Sequence, residues 1–309
     1  MNRQNPSCFG RLSHVVVLLA AFFFAGISQA APLKVVGTTG MVGDLAFRIA
    51  GDRAEVEYLM GPGVDPHLYK ATASDVRKLQ RADVILYNGL FLEGKMQSTL
   101  ERMSKAGRHV AAITAEFDHD VLLDPGDGSG HPDPHIWFDI SLWARCVPVV
   151  VQTLSNAAPD SAAYFREQGA KVTQELLDLH EWAREVSATL SPEKRILVTS
   201  HDAYGYFGEA YGFQVVGLQG ISTVSEAALA DMASLVDFIK EREVKAIFVE
   251  SSVPHATIER IATDAQVEIG GELFSDAMGT PGQMENGYDL GSYDGMVRHN
   301  LTTIVEALR

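Results

Sequence analysis

The chain has 309 residues, a formal charge of −15 and 46% hydrophobic residues, which is room for two domains with ample cores. The acidic balance argues against non-specific nucleic-acid binding. With Cys8 and Cys146 its two cysteines, the chain is not a disulfide-built scaffold.

Residues 1–30 read as a cleaved secretory signal. Arg3 and Arg11 give a positive start, 15–26 an apolar stretch too short to span a bilayer, and Ser28-Gln29-Ala30 a cleavage site. Cys8 precedes the apolar stretch, so no lipid-attachment cysteine stands at the cleavage site. The expected product is a soluble periplasmic protein with one thiol. That thiol, Cys146, lies in the apolar run 143–151, which reads as one buried helix with the cysteine in its core.

The first half, 31–158, alternates strand-like runs at 33–38, 56–60, 84–87 and 109–113 with helical patterns at 42–50, 73–81 and 95–106. Alternation of this kind predicts a parallel sheet covered on both faces. Just past the second run, His67 sits in the turn Gly61-Pro62-Gly63-Val64-Asp65-Pro66-His67. His135 sits in Asp133-Pro134-His135-Ile136-Trp137-Phe138-Asp139, where a helix is expected to begin. The polar stretch 117–134 carries His119 and His131 but is short and not histidine-rich.

The segment 159–192 is bounded by Pro159 and Pro192. Within it, Phe165, Val172, Leu176, Leu179, Trp182 and Val186 keep a helical period over 161–190. One helix of about 30 residues would be roughly 45 Å long and would make a stiff connection; a break near Gly169 is the competing reading. The second half, 193–309, repeats the α/β order. Its strand-like runs are 196–199, 213–217, 246–250 and 267–274, and its helical patterns 203–211, 226–243, 256–264 and 294–308. His201 directly follows the strand-like Ile196-Leu197-Val198-Thr199-Ser200, and Asp276 follows 267–274 by two residues. The glycine-rich stretch 279–295 reads as a loop, and a mobile one.

Strand ends in parallel α/β folds face a ligand crevice. Three imidazoles and a carboxylate gathered there would make a closed four-ligand metal site, suited to Zn²⁺ first and to Mn²⁺ or Fe²⁺ next. Four protein ligands leave no open position for an activated water, so a binding role is favoured over hydrolysis. Spacing alone leaves the set open. His131 competes with His135, and Asp289, Asp294 and Glu250 compete with Asp276. Asp65, Asp202 and Glu250 are candidates to support the ligand rings. His109, His180, His255 and His299 read as surface or capping residues.

Residues 34–308 closely resemble the TroA-like (cluster A-I) metal-ion solute-binding proteins of ABC importers. The resemblance is carried by the His67 and His135 motifs, by Ala82-Asp83-Val84-Ile85-Leu86-Tyr87-Asn88-Gly89-Leu90 and by Val198-Thr199-Ser200-His201-Asp202-Ala203-Tyr204-Gly205-Tyr206-Phe207. Phe248-Val249-Glu250-Ser251-Ser252 and Gly270-Gly271-Glu272-Leu273-Phe274-Ser275-Asp276-Ala277-Met278-Gly279 complete it. It implies two (β/α) lobes joined by one long rigid helix, with the metal in the interlobe cleft. By motif position it implies His67, His135, His201 and Asp276 as ligands and no catalytic residues. The implied role is a non-enzymatic periplasmic receptor that hands Zn²⁺ or Mn²⁺ to a membrane permease with a cytoplasmic ATPase. A secreted metal buffer or adhesin, or a metallohydrolase, is the alternative. Many manganese binders of the family carry glutamate in place of His201, and many zinc-specific members carry a long histidine-rich loop and lack the final aspartate. The mixed set here belongs to zinc members and to zinc-and-manganese members alike. The 279–295 stretch is longer than the family pattern.

Overall fold

The computed structural model describes residues 31–309 except 127, 129 and 226. The expected signal at 1–30 and the start of the helix expected from 226 lie outside the described residues. In the first half, β1 (Leu33–Gly37), α1 (Gly40–Ala50), β2 (Ala54–Tyr58), α2 (Ala73–Arg81), β3 (Val84–Tyr87), α3 (Gln97–Lys105) and β4 (His109–Ala112) follow in order. The strands form one parallel sheet in the order β2-β1-β3-β4. All four residues of β3 are buried, as a central strand covered on both faces requires. Side chains set the helix starts. The Thr39 hydroxyl accepts from the Val42 amide, and Thr72 and Asp75 form a reciprocal capping box at the head of α2.

Helices α4 (Ile140–Ala144), α5 (Val147–Ala157) and α6 (Ala162–Ser187) cross to the second half. The single helix expected over 143–151 is in fact two. Pro148 lacks an amide proton and stands at the head of α5, where none is needed. Cys146 lies buried in the corner between α4 and α5.

Helix α6 has 26 residues, about 39 Å at 1.5 Å per residue, somewhat shorter than its sequence pattern predicts. Gly169 does not break it. A Cβ there would stand 2.5 Å from Val151 Cγ2, so the missing side chain lets α5 lie close. Phe165, Val172, Leu176, Leu179 and Ala183 form one buried stripe, and the helix packs against α1, α4, α5, α7 and α10.

The second half contains β5 (Ile196–His201), α7 (Gly205–Tyr211), β6 (Gln214–Gln219), α8 (Leu229–Glu241), β7 (Ala246–Glu250), α9 (Ala256–Ala265) and β8 (Glu268–Leu273). It pairs as two parallel ladders, β5 with β6 and β7 with β8, and β5 lies beside β7. The 279–295 stretch, expected to be a loop, folds into a small hairpin of β9 (Met284–Glu285) and β10 (Tyr288–Asp289) before α10 (Tyr293–Leu308). Asn286 and Gly287 both take positive φ, +49° and +87°, the tight-turn geometry that an Asn-Gly pair favours. The Arg298 guanidinium stacks between the Tyr288 and Trp182 rings, and Glu285 meets His299 at 2.7 Å. The main hydrophobic core is continuous from Val35 and Leu86 through Trp137 and Phe165 to Phe248 and Leu308. It therefore draws on both halves and on α6.

Candidate metal centre

Two copies of one local device place the first two histidines. The Asp65 carboxylate accepts the His67 amide proton at 2.8 Å, and the Asp133 carboxylate accepts that of His135 at 2.9 Å. Each aspartate folds its own Asp-Pro-His tripeptide into a turn, with proline fixing the middle residue. His201 ends β5, and its amide donates to Glu250 Oε1 at 2.8 Å, at the end of the neighbouring β7. Asp276 lies three residues past β8. Asn300 of α10 holds that segment by accepting from the Phe274 amide at 2.9 Å and donating to its carbonyl at 2.7 Å.

These four side chains converge. His135 Nε2 is 3.3 Å from Asp276 Oδ1 and from His67 Nε2. His201 Nε2 and His67 Nε2 are 3.3 and 3.6 Å from Asp276 Oδ2. One ligand atom from each residue lies within 4.8 Å of all the others. A tetrahedral ion with ligands at about 2.0–2.2 Å would space them roughly 3.3–3.6 Å apart, so the cluster has the dimensions of an ion cradle. Both Asp276 oxygens and His201 Nε2 are buried without a hydrogen-bond partner. Uncompensated buried groups of this kind are costly, and a cation at their common focus would satisfy all three.

Outer carboxylates aim two of the rings. His135 Nδ1 faces Asp133 Oδ1 at 2.7 Å, and His201 Nδ1 lies 2.5 Å from Glu250 Oε2. A ring whose Nδ1 proton faces a carboxylate presents its Nε2 lone pair to the centre. The electrostatics follow. Burial pushes the His67 imidazole down to about 3, against the opposing pull of Asp276. Burial also lowers His135, but Asp133 and Asp276 outweigh it and bring the ring to about 9. His201 is held well above the ordinary range, because Glu250 and Asp276 outweigh the same burial. Burial opposes ionisation of Asp276, yet His201 and His135 keep it well below the usual carboxylate range. The centre holds an anionic carboxylate facing rings whose protons compete directly with a metal.

The competing residues lie elsewhere. His131 stacks on Phe91 at 4.3 Å, Asp294 pairs with Arg298, and Asp289 braces the hairpin through the Gly282 and Gly291 amides. Of the expected supports, Glu250 serves His201 and Asp65 serves the His67 backbone, while Asp202 makes no hydrogen bond to any of the three rings. Sequence reasoning missed Asp133, Asn88 and Glu93. Asn88 Nδ2 donates to the Pro134 carbonyl at 3.0 Å, next to His135. Buried Glu93 accepts from the Asn88 and Gly89 amides and the Thr38 hydroxyl. It thereby holds the turn in which Leu90 and Phe91 take positive φ. The repeated Asp-Pro-His was the available signal for Asp133; no comparable local signal marks Glu93.

Comparison with known proteins shows the family. The family model ZnuA, described as zinc-uptake complex component A, periplasmic, matches residues 35–307. The manganese-binding lipoprotein MntA of Bacillus subtilis is 43% identical over 290 residues, 92% of each chain. The zinc-binding protein TroA of Treponema pallidum is 45% identical over 279 residues, 89% of this chain and 88% of that one. The solved structure of periplasmic zinc-binding TroA from Treponema pallidum superposes with a TM-score of 0.84 at 44% identity, covering 90% of this chain and 99% of that one.

Proposed function

We infer the role of this chain from a plain premise: it belongs to the ZnuA family of periplasmic zinc-uptake components, which are solute receptors and not enzymes. We propose that it captures Zn²⁺, Mn²⁺ or both through His67, His135, His201 and Asp276, and delivers the ion to an ABC permease and its ATPase. The observation that carries this reading is the buried Asp276 carboxylate, with neither oxygen hydrogen-bonded, set among three imidazoles. The relatives' names divide between zinc and manganese, and the donor set suits both, with a bias toward zinc from the three nitrogens. Fe²⁺ is a further cargo that the donor chemistry allows. The N-terminal 1–30 segment supports export to the periplasm with cleavage after Ala30. Residues 31–158 and 193–309 act as the two lobes, with 159–192 as the connecting helix.

The test is a competition titration of metal-stripped residues 31–309 with Zn²⁺ and Mn²⁺, followed by calorimetry. One tight equivalent of Zn²⁺ that excess Mn²⁺ does not displace makes this a zinc receptor. Comparable affinities mean that supply and the permease select the ion. No uptake of either overturns the receptor reading.

A further inference from the structure

The four candidate ligands are not held alike. His201 and Asp276 both stand in the second half, and His135 is tied to it by buried hydrogen bonds on either side. The Tyr206 hydroxyl donates to the Asp133 carbonyl at 2.9 Å, and Trp137 Nε1 donates to the Ser275 carbonyl at 3.0 Å. The Tyr293 hydroxyl donates to the Trp137 carbonyl at 2.6 Å. The side chains of these three ligands are fully inaccessible to solvent, and the His67 ring, at 5% exposure, is the least enclosed of the four. The turn 61–67 lies against the second half near the Ser251 carbonyl. Among the described residues, one hydrogen bond joins the turn to that half: the Thr223 hydroxyl donates to Asp65 Oδ2 at 2.5 Å. The other oxygen of the same carboxylate holds the His67 amide. Thr223 lies between β6 and α8, with 9% of its surface exposed.

We propose that Thr223 and Asp65 form a latch that holds the His67 turn against the second half and governs how fast the bound ion leaves. Thr223 is a positioning residue that acts through Asp65 on His67. When the bond opens, the His67 turn alone moves away from the second half while the other three ligands stay in place. The ion thus loses one nitrogen and gains a path to solvent without any disturbance of the shared core. This inference rests on the metal-receptor reading above.

The experiment compares the exported chain with its Thr223→Val and Thr223→Ser variants, each loaded with one equivalent of Zn²⁺. Release is followed in a stopped-flow instrument against excess of a chelating dye, and metal-free melting is recorded alongside. A hydrogen bond to a carboxylate contributes enough to change a rate on the order of tenfold. Thr223→Val should therefore release Zn²⁺ about that much faster, Thr223→Ser should match the unaltered chain in release and in metal-free melting, and Thr223→Val should melt only slightly lower without metal, since one hydrogen bond is lost there too. Release from Thr223→Val at the unaltered rate overturns the latch, and so does equally fast release from Thr223→Ser, which would make the methyl group the active feature. An unaltered chain that takes up no Zn²⁺ overturns the receptor reading and the latch with it.

Discussion

At the scale of single residues, the proposed ligands depend on the groups that support them. Glu250 both accepts the His201 amide and faces its ring nitrogen. Glu250→Gln keeps an acceptor for the amide but removes the charge that holds the Nδ1 proton. The neutral ring then has less reason to keep that proton on Nδ1 and to leave Nε2 bare for the ion. The expected outcome is a loss of roughly 10–100-fold in Zn²⁺ affinity with an unchanged circular dichroism spectrum. Equal affinity in a chelator competition would show that Glu250 does not aim the ring. Legibility at this scale is uneven for a physical reason. Asp65 and Asp133 act on residues two positions ahead, so their work is written locally as Asp-Pro-His. Glu250 meets His201 across 49 residues and a strand pair, and Glu93 reaches Thr38 across 55. Contacts between separate strands leave no mark in local spacing, and in the sequence Glu250 stood only as one candidate among several.

At the scale of elements, strands and long helices were legible and short corners were not. The buried strand β3 is a continuous apolar run, β7 is apolar up to its final Glu250, and α6 keeps its period through Gly169. The β9–β10 hairpin escaped because two-residue strands carry no periodicity, although its Asn-Gly turn was in plain view. The α4–α5 corner escaped because apolarity runs straight through it, and only Pro148 marks the restart. Strand positions also impose close approaches that composition does not reveal. Gly217 of β6 is the clearest, since a Cβ there would stand 2.5 Å from the Asp202 backbone nitrogen, one residue beyond His201. A backbone cannot yield as a side-chain end can, so Gly217→Ala must push β6 away from β5. The expected cost is about 1–3 kcal/mol of folding stability, with weakened metal binding because the displaced backbone carries His201. Denaturant melts with and without Zn²⁺ would check both. A variant as stable as the parent would mean that β6 can shift without loss.

At the scale of the whole molecule, the decisive feature is that the halves share a core. Receptors that close by a hinge keep separate cores joined by flexible strands, so large rotations disturb little packing. Here Phe165, Leu176 and Leu179 of α6 belong to the same buried cluster as Val35 of the first sheet and Phe248 of the second half. Rotating the halves apart would expose apolar surface at about 25 cal/mol per Å², so a few hundred Å² would cost several kcal/mol. A single bound ion can offset that only at high occupancy, since stabilisation at one hundred times the dissociation constant is about 2.7 kcal/mol. Metal binding should accordingly raise the melting temperature while leaving the molecular envelope almost unchanged. The radius of gyration expected for a folded chain of this size is about 19 Å. Small-angle scattering of residues 31–309 should give the same value with and without Zn²⁺, and the chelator-reversible gain in melting temperature should appear in the same samples. A clear contraction on loading would mean that the shared core yields. Release would then proceed by opening of the whole cleft, and a tie as local as Thr223 to Asp65 could not set its rate.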